Sequence, residues 1–270
     1  MVARLPPVAP VGSAAGGGVA GADRWRNRVS ASAAITASFD AATGVTRLRV
    51  LRSQAPLVLR RTPDAVYLVG GAAGPIGGDL LDLRIDVLTG AFLRVRSAAA
   101  SIALPGLDGL ESMLRVSVTV GVGGCLEYLP EPVVVSAGAR HATIFAVTLD
   151  AGASLLLRDE LLLGRHGEAG GVARSVLRVD YAGRPLLRQT LSVDGTEAVS
   201  FGPAVLGGHR AVGNLLFAGQ VVPGADEAPY ADATVAVMPL AGPGVLVTAL
   251  ADDAVTLRRR LTAHFPPVTR

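Results

Sequence analysis

Three polar clusters interrupt an otherwise apolar chain, and each holds carboxylates that could bind a cation or an arginine of another protein. The most distinctive cluster reads Leu126-Glu127-Tyr128-Leu129-Pro130-Glu131-Pro132. Pro130 and Pro132 lack backbone N–H donors, so this stretch is predicted to be an edge or a loop and not a central strand. Its two carboxylates could hold a hard or borderline cation weakly, or pair with arginine. Ordinary solvated loop charges explain the same residues equally well.

Glycine or arginine accompanies the carboxylates of the other two clusters. Gly77-Gly78-Asp79 follows a glycine-rich stretch, and its structural interpretation is a tight turn in which the Asp79 carboxylate accepts backbone N–H bonds. The third cluster runs from Arg158 to Glu168 and contains Glu160, Gly164 and Arg165. Both clusters retain charge inside regions that otherwise have the composition of strands.

Motifs with a stronger chemical meaning are missing from the sequence. It has no CxxC, HxxxH or HExxH metal motif, no G-x-S-x-G nucleophile elbow and no P-loop with its Lys-Ser/Thr. The four histidines, at positions 141, 166, 209 and 264, are far apart, which favours surface or structural roles. Cys125 lies beside a glycine turn, at a position that matches Ala91 and Ala153, and is predicted to be a small buried core residue. Together these features argue against an enzyme.

Composition narrows the class of protein. Half of the 270 residues are apolar and the mean hydropathy is +0.45, so a partner is expected to cover part of the surface. Only 4% of the residues are aromatic, so Val, Leu, Ile and Ala must build the core. No apolar run reaches the roughly 18 residues of a membrane span. All 25 basic residues are arginines, and the clusters that some of them form are small, which favours solvated strand faces and a basic helix end over nucleic-acid binding. A single cysteine suits a reducing cytoplasm.

Short segments separated by Gly and Pro predict a mainly β protein. Alternating apolar and polar residues predict half-buried strands at 46–52, 83–87, 92–96 and 114–120. Three segments also share an apolar strand, a glycine turn and a second strand; they begin at Val87, Val120 and Leu149, with turns at Gly90, Gly124 and Gly152. A repeat of about 30 residues predicts stacked β layers, as in a solenoid, and a sandwich made of hairpins is the alternative.

About two short helices are expected toward the C-terminus. The first covers residues 203–219, and the second runs from Asp252 to Phe265, with acidic residues at its start, Arg258–Arg260 near its end and Pro266 after it. A strand pair at 233–240 and 245–250 lies between them. Residues 1–24, rich in Ala, Gly and Pro, are predicted to be a disordered tail, and residues 25–270 a single domain.

The polar clusters resemble sequence motifs of the urease accessory protein UreD (UreH) family. The segment Glu127–Pro132 is similar to the family's EYLPEP motif, Gly77-Gly78-Asp79 to its GGD turn, and Gly164-Arg165 to its GR turn. The order and spacing match over about residues 45–185. Residues 97–102 depart from the Thr-Gln run and basic residues typical of the family, so partner contacts are left open there.

The resemblance implies a non-catalytic cytoplasmic protein with a mainly β fold of stacked layers. It implies binding to apo-urease and to the accessory proteins UreF and UreG, and support of nickel insertion into the urease active site, without a tightly bound cofactor, nucleic acid or membrane. The alternative is a stand-alone β-rich binding or hydrolytic protein unrelated to urease. Co-purification with UreF and UreG would separate the two.

The resemblance also assigns expected roles to single residues. Four carboxylates are hypothesised to supply spaced oxygen ligands for transient nickel, with Arg165 orienting one of them: Asp79, Glu127, Glu131 and Glu160. Six further residues are expected to be structural or to contact a partner: Gly78, Tyr128, Pro130, Pro132, Gly164 and Arg165.

Overall fold

The fold consists almost entirely of strands. A computed structural model describes residues 28–220 and 229–263, which form eighteen strands and one α-helix. In chain order the strands are β1 (Ser30–Asp40), β2 (Val45–Arg52), β3 (Leu57–Arg61), β4 (Val66–Gly70), β5 (Leu80–Val87), β6 (Phe92–Ser97), β7 (Ser101–Ala103), β8 (Ser112–Val120), β9 (Cys125–Leu129), β10 (Val133–Val135), β11 (Arg140–Leu149), β12 (Ser154–Leu163), β13 (Val172–Tyr181), β14 (Arg184–Asp194), β15 (Ala211–Gly219), β16 (Tyr230–Ala231), β17 (Val235–Pro239) and β18 (Gly244–Ala251). A 3-10 turn (Ala198–Phe201) precedes β15, and helix α1 (Ala254–Thr262) follows β18.

Two sheets pack face to face, and both have a parallel centre. The first has the order β14-β13-β11-β8-β5-β1-β2, and the second runs β16-β17-β18-β15-β12-β9-β6-β4-β3, with β10 and β7 attached beside β12. Strands β1, β5, β8, β11 and β13 are parallel neighbours, as are β4, β6, β9 and β12. A tight turn cannot join parallel neighbours, so the chain crosses to the other sheet between them. The predicted mainly β, solenoid-like stack is confirmed.

The sequence repeat corresponds to successive coils of this stack. The residues that begin the three repeat segments pair with one another in the first sheet, Val87 with Val120 and Val120 with Leu149. Their last residues stack in the second sheet, Leu93 with Leu126 and Leu126 with Leu155. Equivalent apolar side chains therefore form continuous rows through the core.

The register corrects two details of the predicted repeat. Gly123, and not Gly124, takes the left-handed conformation found at Gly90 and Gly152, with a φ of 65°. Gly124 instead follows the turn, where a Cβ would lie 2.8 Å from the Gly121 carbonyl oxygen. The predicted alignment of Cys125 is wrong by one residue: it pairs with Phe92 and Ser154 and is half-buried, because its side chain points away from the core.

The helix predicted at 203–219 is wrong, since β15 occupies residues 211–219. All nine of its residues are buried, between β12 and β18 and under α1. A strand buried on both faces has no period-two alternation, so its apolar run cannot be told from a buried helix by pattern.

The other C-terminal predictions hold within the residues that the structure describes. Strands β17 and β18 form the expected antiparallel pair, and α1 begins after Asp253, whose side chain accepts a hydrogen bond from Thr256 N. The whole of the predicted tail (1–24) and the last two residues of the predicted helix (Asp252–Phe265) fall outside the described ranges. In residues 28–220 and 229–263, no helix is long and apolar enough to span a membrane.

A layer of polar side chains divides the interior between the sheets. Along β12, Leu157 belongs to one apolar cluster and Leu161 to another, and Asp159 lies between them. Ser175 and Asn214 occupy the same level on β13 and β15, and Ser175 donates a 2.5 Å hydrogen bond to Asp159. On the neighbouring strand β11, buried His141 contacts Ser112 Oγ through Nδ1 at 2.9 Å.

Burial shifts the two titratable groups of this layer in opposite directions. Loss of water raises the pKa of Asp159 to about 6 despite the Ser175 hydrogen bond. Its favourable contribution to the free energy of unfolding is therefore complete below about pH 4 and is lost as pH rises to about 6. Burial lowers the pKa of His141 to about 4. Its favourable contribution to the free energy of unfolding is therefore complete above about pH 6.5 and is lost as pH falls to about 4. The two effects oppose each other over almost the same range.

Asp159→Asn is therefore expected to change how the free energy of unfolding depends on pH, although the two side chains have nearly the same shape. Without the aspartate, the free energy of unfolding should fall more steeply than in wild type as pH drops from 6.5 to 4.5, and at pH 7 it should exceed wild type by up to about 3 kcal/mol. His141→Gln should show the opposite slope. Urea unfolding followed by circular dichroism at several pH values measures both, and parallel pH profiles for all three proteins would contradict the assignment.

Candidate functional site

The carboxylates of the EYLPEP-like segment lie on the outer face of the second sheet. Side chains alternate along β9, so Leu126 and Tyr128 join the core while Glu127 points outward. The same alternation on β12 points Arg158 and Glu160 outward. Helix α1 packs against this outer face, with Leu257 and Leu261 against Gly213 of β15. The outer face therefore brings the second and third polar clusters together with the C-terminal helix.

Arg258 of α1 is the centre of this assembly. Its guanidinium pairs with both oxygens of Glu131 at 3.1 and 3.0 Å and with both oxygens of Glu160 at 3.3 and 2.6 Å. The Glu160 side chain is fully buried, whereas those of Glu131 and Arg258 are about one-third exposed. The Glu160 carboxylate, by hydrogen bonding, raises the pKa of Arg258 further above its usual value, so the arginine is always charged. One side chain thus ties the helix to two coils of the stack.

Arg158 forms a second layer beneath Arg258. Its NH2 group donates to the Pro130 carbonyl at 2.8 Å, and its Nε lies 3.3 Å from Glu160 without hydrogen-bond geometry. That Nε is buried and makes no hydrogen bond. Burial lowers the pKa of Arg158, although nearby Glu160 opposes the shift. Glu131 and Glu160 therefore also stabilise the fold by compensating the charge of the desolvated Arg158.

Glu127 belongs to a neighbouring group of charges. Arg94 Nε on β6 donates to it at 2.8 Å, and Arg96 NH2 donates to the same oxygen at 3.1 Å. The Glu127 side chain is only 8% exposed, so two arginines enclose it. Arg94 also lies over the Phe92 ring, 5.0 Å from its centre. Glu127 is therefore a cross-strand tie between β6 and β9.

The other residues of the motif hold the chain in position. Tyr128 packs its ring edge-on against Phe145 at 5.8 Å, and burial raises its pKa. After β9 the chain leaves the ladder at Pro130, as the prolines predict, and Ser97 Oγ accepts a 2.7 Å hydrogen bond from Glu131 N. The carbonyl of Pro132 accepts from Ser101 N at 3.0 Å. Residues 97–102 thus contact the proline segment through Ser97 and Ser101.

Asp79 does not join this group. It precedes β5 in the first sheet, and its carboxylate accepts 2.9 Å hydrogen bonds from Val29 N and Ile76 N. Gly78 has a φ of 93°, and at Gly77 a Cβ would lie 2.5 Å from Gly106 N. The tight turn predicted from residue chemistry is therefore present, with Asp79 as its hydrogen-bond acceptor.

The Gly164-Arg165 turn is a separate structural feature. Gly164 has a φ of 76°, and a Cβ there would lie 2.4 Å from the Glu168 carbonyl oxygen. Arg165 orients Glu168, to which it donates at 2.7 and 2.8 Å, and none of the four hypothesised ligands. This pairing lowers the pKa of Glu168 to about 2. Arg210 closes the turn by donating to the carbonyl of Leu163 at 2.9 Å.

The charged side chains described on the outer side of the second sheet form one group, which we call the outer-face cluster. It contains four arginines and the three glutamates Glu127, Glu131 and Glu160, and each glutamate is paired with arginine. Among residues 28–220 and 229–263, no group of three or more His, Cys, Asp or Glu side chains is arranged to hold a metal ion. A cation could reach Glu131 or Glu160 only by competing with Arg258. Four arginines complete the cluster, and none of them is among the site residues predicted from the sequence: Arg94, Arg96, Arg158 and Arg258. The alternating arginines of β6 and the Arg158-Asp159-Glu160 run were the available signals, but pairing across 98 or 127 residues leaves no local pattern.

The fold and the site define a solenoid-like β protein in which strand charges are used to join coils and to dock a helix. Residues 31–265 match the family model described as UreD urease accessory protein. The chain is 44% identical over 261 residues to urease accessory protein UreD of Parafrankia sp. (strain EAN1pec), with 87% of this chain and 88% of the relative covered. The Streptomyces coelicolor UreD is 45% identical over 245 residues, covering 86% and 94%. The chain belongs to the UreD family.

Loss of Arg258 is expected to destabilise the fold selectively. Arg258→Ala would leave Glu131 and buried Glu160 with Arg158 as their shared counter-charge, at 3.8 and 3.3 Å, and without the hydrogen bonds that Arg258 donates to them. This loss should lower the free energy of unfolding by about 2 kcal/mol. Arg259→Ala is the matched control, since Arg259 is exposed on the same helix and pairs with no described carboxylate; it should cost less than about 0.5 kcal/mol. Urea denaturation compares the variants. Adding Glu160→Gln to Arg258→Ala should recover part of the loss, and equal effects of the two arginine variants would refute the ion-pair role.

Proposed function

We propose that this chain is a maturation factor that binds apo-urease together with UreF and UreG in the cytoplasm and supports nickel insertion into the urease active site. The observation that carries the proposal is membership of the UreD family over residues 31–265. The relatives are named urease accessory proteins and not enzymes, which agrees with a role in assembly. Nickel is the cargo in this proposal and not a resident cofactor.

The outer-face cluster supports a specific version of the role. We assign Glu127, Glu131 and Glu160 as the spaced oxygen ligands that nickel meets in transit, and Asp79 to its turn in the first sheet. Weak oxygen ligands release a borderline cation more readily than Cys or His ligands would. Glu131 is the entry point because its side chain is 36% exposed, whereas that of Glu160 is fully buried.

Arg258 has a defined part in this version of the role. Its two-fold pairing keeps both carboxylates occupied until a partner or a cation displaces it. The site is then closed to solution metal ions and opens only within the assembly. Such competition lets the chain pass nickel onward without storing it.

The proposal is tested by supplying this chain to a urease operon that lacks its own UreD gene and measuring nickel-dependent urease activity. Wild type should restore activity and co-purify with urease, UreF and UreG. Glu131→Gln, which retains the shape of the side chain, should lower activation at limiting nickel at least about fivefold while leaving co-purification unchanged. Restored activity without co-purification would contradict the assembly role.

Glu111→Gln is the matched control for this experiment. Glu111 is also about one-third exposed, and it pairs with Arg174 at 2.6 Å on the first sheet, away from the cluster. It should activate urease like wild type. If Glu131→Gln and Glu111→Gln behave alike, the nickel-transit role of the cluster fails while the assembly role survives.

A further inference from the structure

The edge of the stack formed by β2 and β3 carries an unusual concentration of positive charge. Residues 45–61 contain five arginines and no acidic residue. The two strands are the edges of different sheets and lie on the same side of the molecule, since β1, the neighbour of β2, also contacts β3. The arginines are Arg47, Arg49, Arg52, Arg60 and Arg61.

Most of these arginines have no carboxylate partner among the described residues. Only Arg47 forms an ion pair, with Asp40 at 2.8 Å; within the described ranges Arg49, Arg52, Arg60 and Arg61 form none. The strands between the edges carry arginines of both kinds: Arg94, Arg115 and Arg174 each pair with a glutamate or aspartate, and Arg178 pairs with none in the described ranges. Charges that are not neutralised within the chain remain available to an outside partner.

Apolar side chains share this surface with the arginines. On β2, Val45 is 55% exposed, Val50 39% and Leu51 38%. A groove of about 320 Å³ lies beside them, between the start of β2 and the β3–β4 turn. Val45, Leu48 and Phe92 line its apolar part, and Arg61 and Asp64 are among its polar lining residues. A partly apolar groove beside unpaired arginines has the composition of a protein–protein contact site.

The backbone of β2 indicates how a partner would be recognised. Thr36 pairs with Val50 and Ala37 with Leu48, so Arg49 is the extra residue of a bulge. A bulge interrupts the ladder and disfavours the addition of another strand. Recognition must therefore proceed through the side chains. A second copy of the same edge is also excluded, because it would place arginines opposite arginines.

We propose that the β2–β3 edge is a docking surface for a protein whose contact face carries Asp and Glu residues around one projecting apolar side chain. The acidic groups pair with Arg49, Arg52 and Arg61, and the apolar side chain occupies the groove beside Val45. This inference is independent of the role in urease maturation. A single-stranded nucleic acid would pair with the arginines but would not fill the apolar part of the groove, and serves as the competing outcome.

The probe is a fluorescein-labelled 12-residue peptide with glutamate at alternate positions and one central leucine, titrated with the full chain by fluorescence anisotropy. Arg49→Ser/Arg52→Ser/Arg61→Ser should weaken binding at least about tenfold, since three charge contacts are lost. The matched control is Arg178→Ser/Arg184→Ser/Arg259→Ser, which removes the same charge from exposed arginines without described carboxylate partners. It should change binding less than about twofold. Thermal unfolding confirms that both variants are folded.

Two further measurements decide between a specific site and general attraction. Replacing the central leucine of the peptide by asparagine should weaken binding about threefold or more, and Val45→Asn in the chain should abolish that difference. Equal effects of the two triple variants, insensitivity to the leucine, or no binding would overturn the proposal. A 12-nucleotide thymidine oligomer that binds more tightly through the same three arginines would also overturn it, in favour of nucleic acid.

Discussion

The in-register parallel pairing of the coils is the constraint on which the rest of the molecule depends. Because parallel neighbours cannot share a hairpin, each pass along the first sheet must be followed by a pass along the second. This alternation stacks Val87, Val120 and Leu149 in one row and Leu93, Leu126 and Leu155 in another. Small aliphatic rows of this kind explain how a core with so few aromatic residues is filled. They also force every second side chain of β6, β9 and β12 outward, whatever its charge.

The outward positions explain why glutamate and arginine occur in strands that are otherwise apolar. An outward residue on β9 or β12 is covered by α1 or by neighbouring arginines, so a charge there needs a partner close by. Glu127, Glu131 and Glu160 each have such a partner, and Arg258 serves two of them. The pairs fix where the helix sits on the sheet, which apolar packing of Leu257 and Leu261 alone leaves less defined. The same pairs keep all three carboxylates occupied by arginine.

Local patterns in the sequence anticipated those parts of the structure that depend on neighbouring residues. Alternation identified β2, β5, β6 and β8, the prolines identified the exit from β9, and the dipole signals identified α1. The glycine-rich Gly77-Gly78-Asp79 turn and its carboxylate acceptor were also predictable, since the partners of Asp79 include the amide only three residues away.

Features that depend on distant contacts were not predictable. Strand β15 has helix-like apolar content because both of its faces are buried, and only its position between β12 and β18 reveals it as a strand. The glutamates of the site were found as charged interruptions, yet their arginine partners were not, because Arg258 lies 127 residues from Glu131 along the chain. Asp159 was not predictable either, since nothing local distinguishes an aspartate that faces the interior from Arg158 and Glu160, which face the opposite side of the same strand.

The antiparallel strands at the ends of the stack limit how long it can be. Strand β2 reverses direction against β1, β3 against β4, and β14 against β13, so each parallel series is terminated on the side where it would otherwise continue. Terminal units of this kind prevent repeat proteins from joining end to end. The number of coils is consequently set inside the chain. A change in the length of the molecule during evolution would have to insert or delete one complete coil between these ends, because any fraction of a coil would shift the strands of one sheet against those of the other.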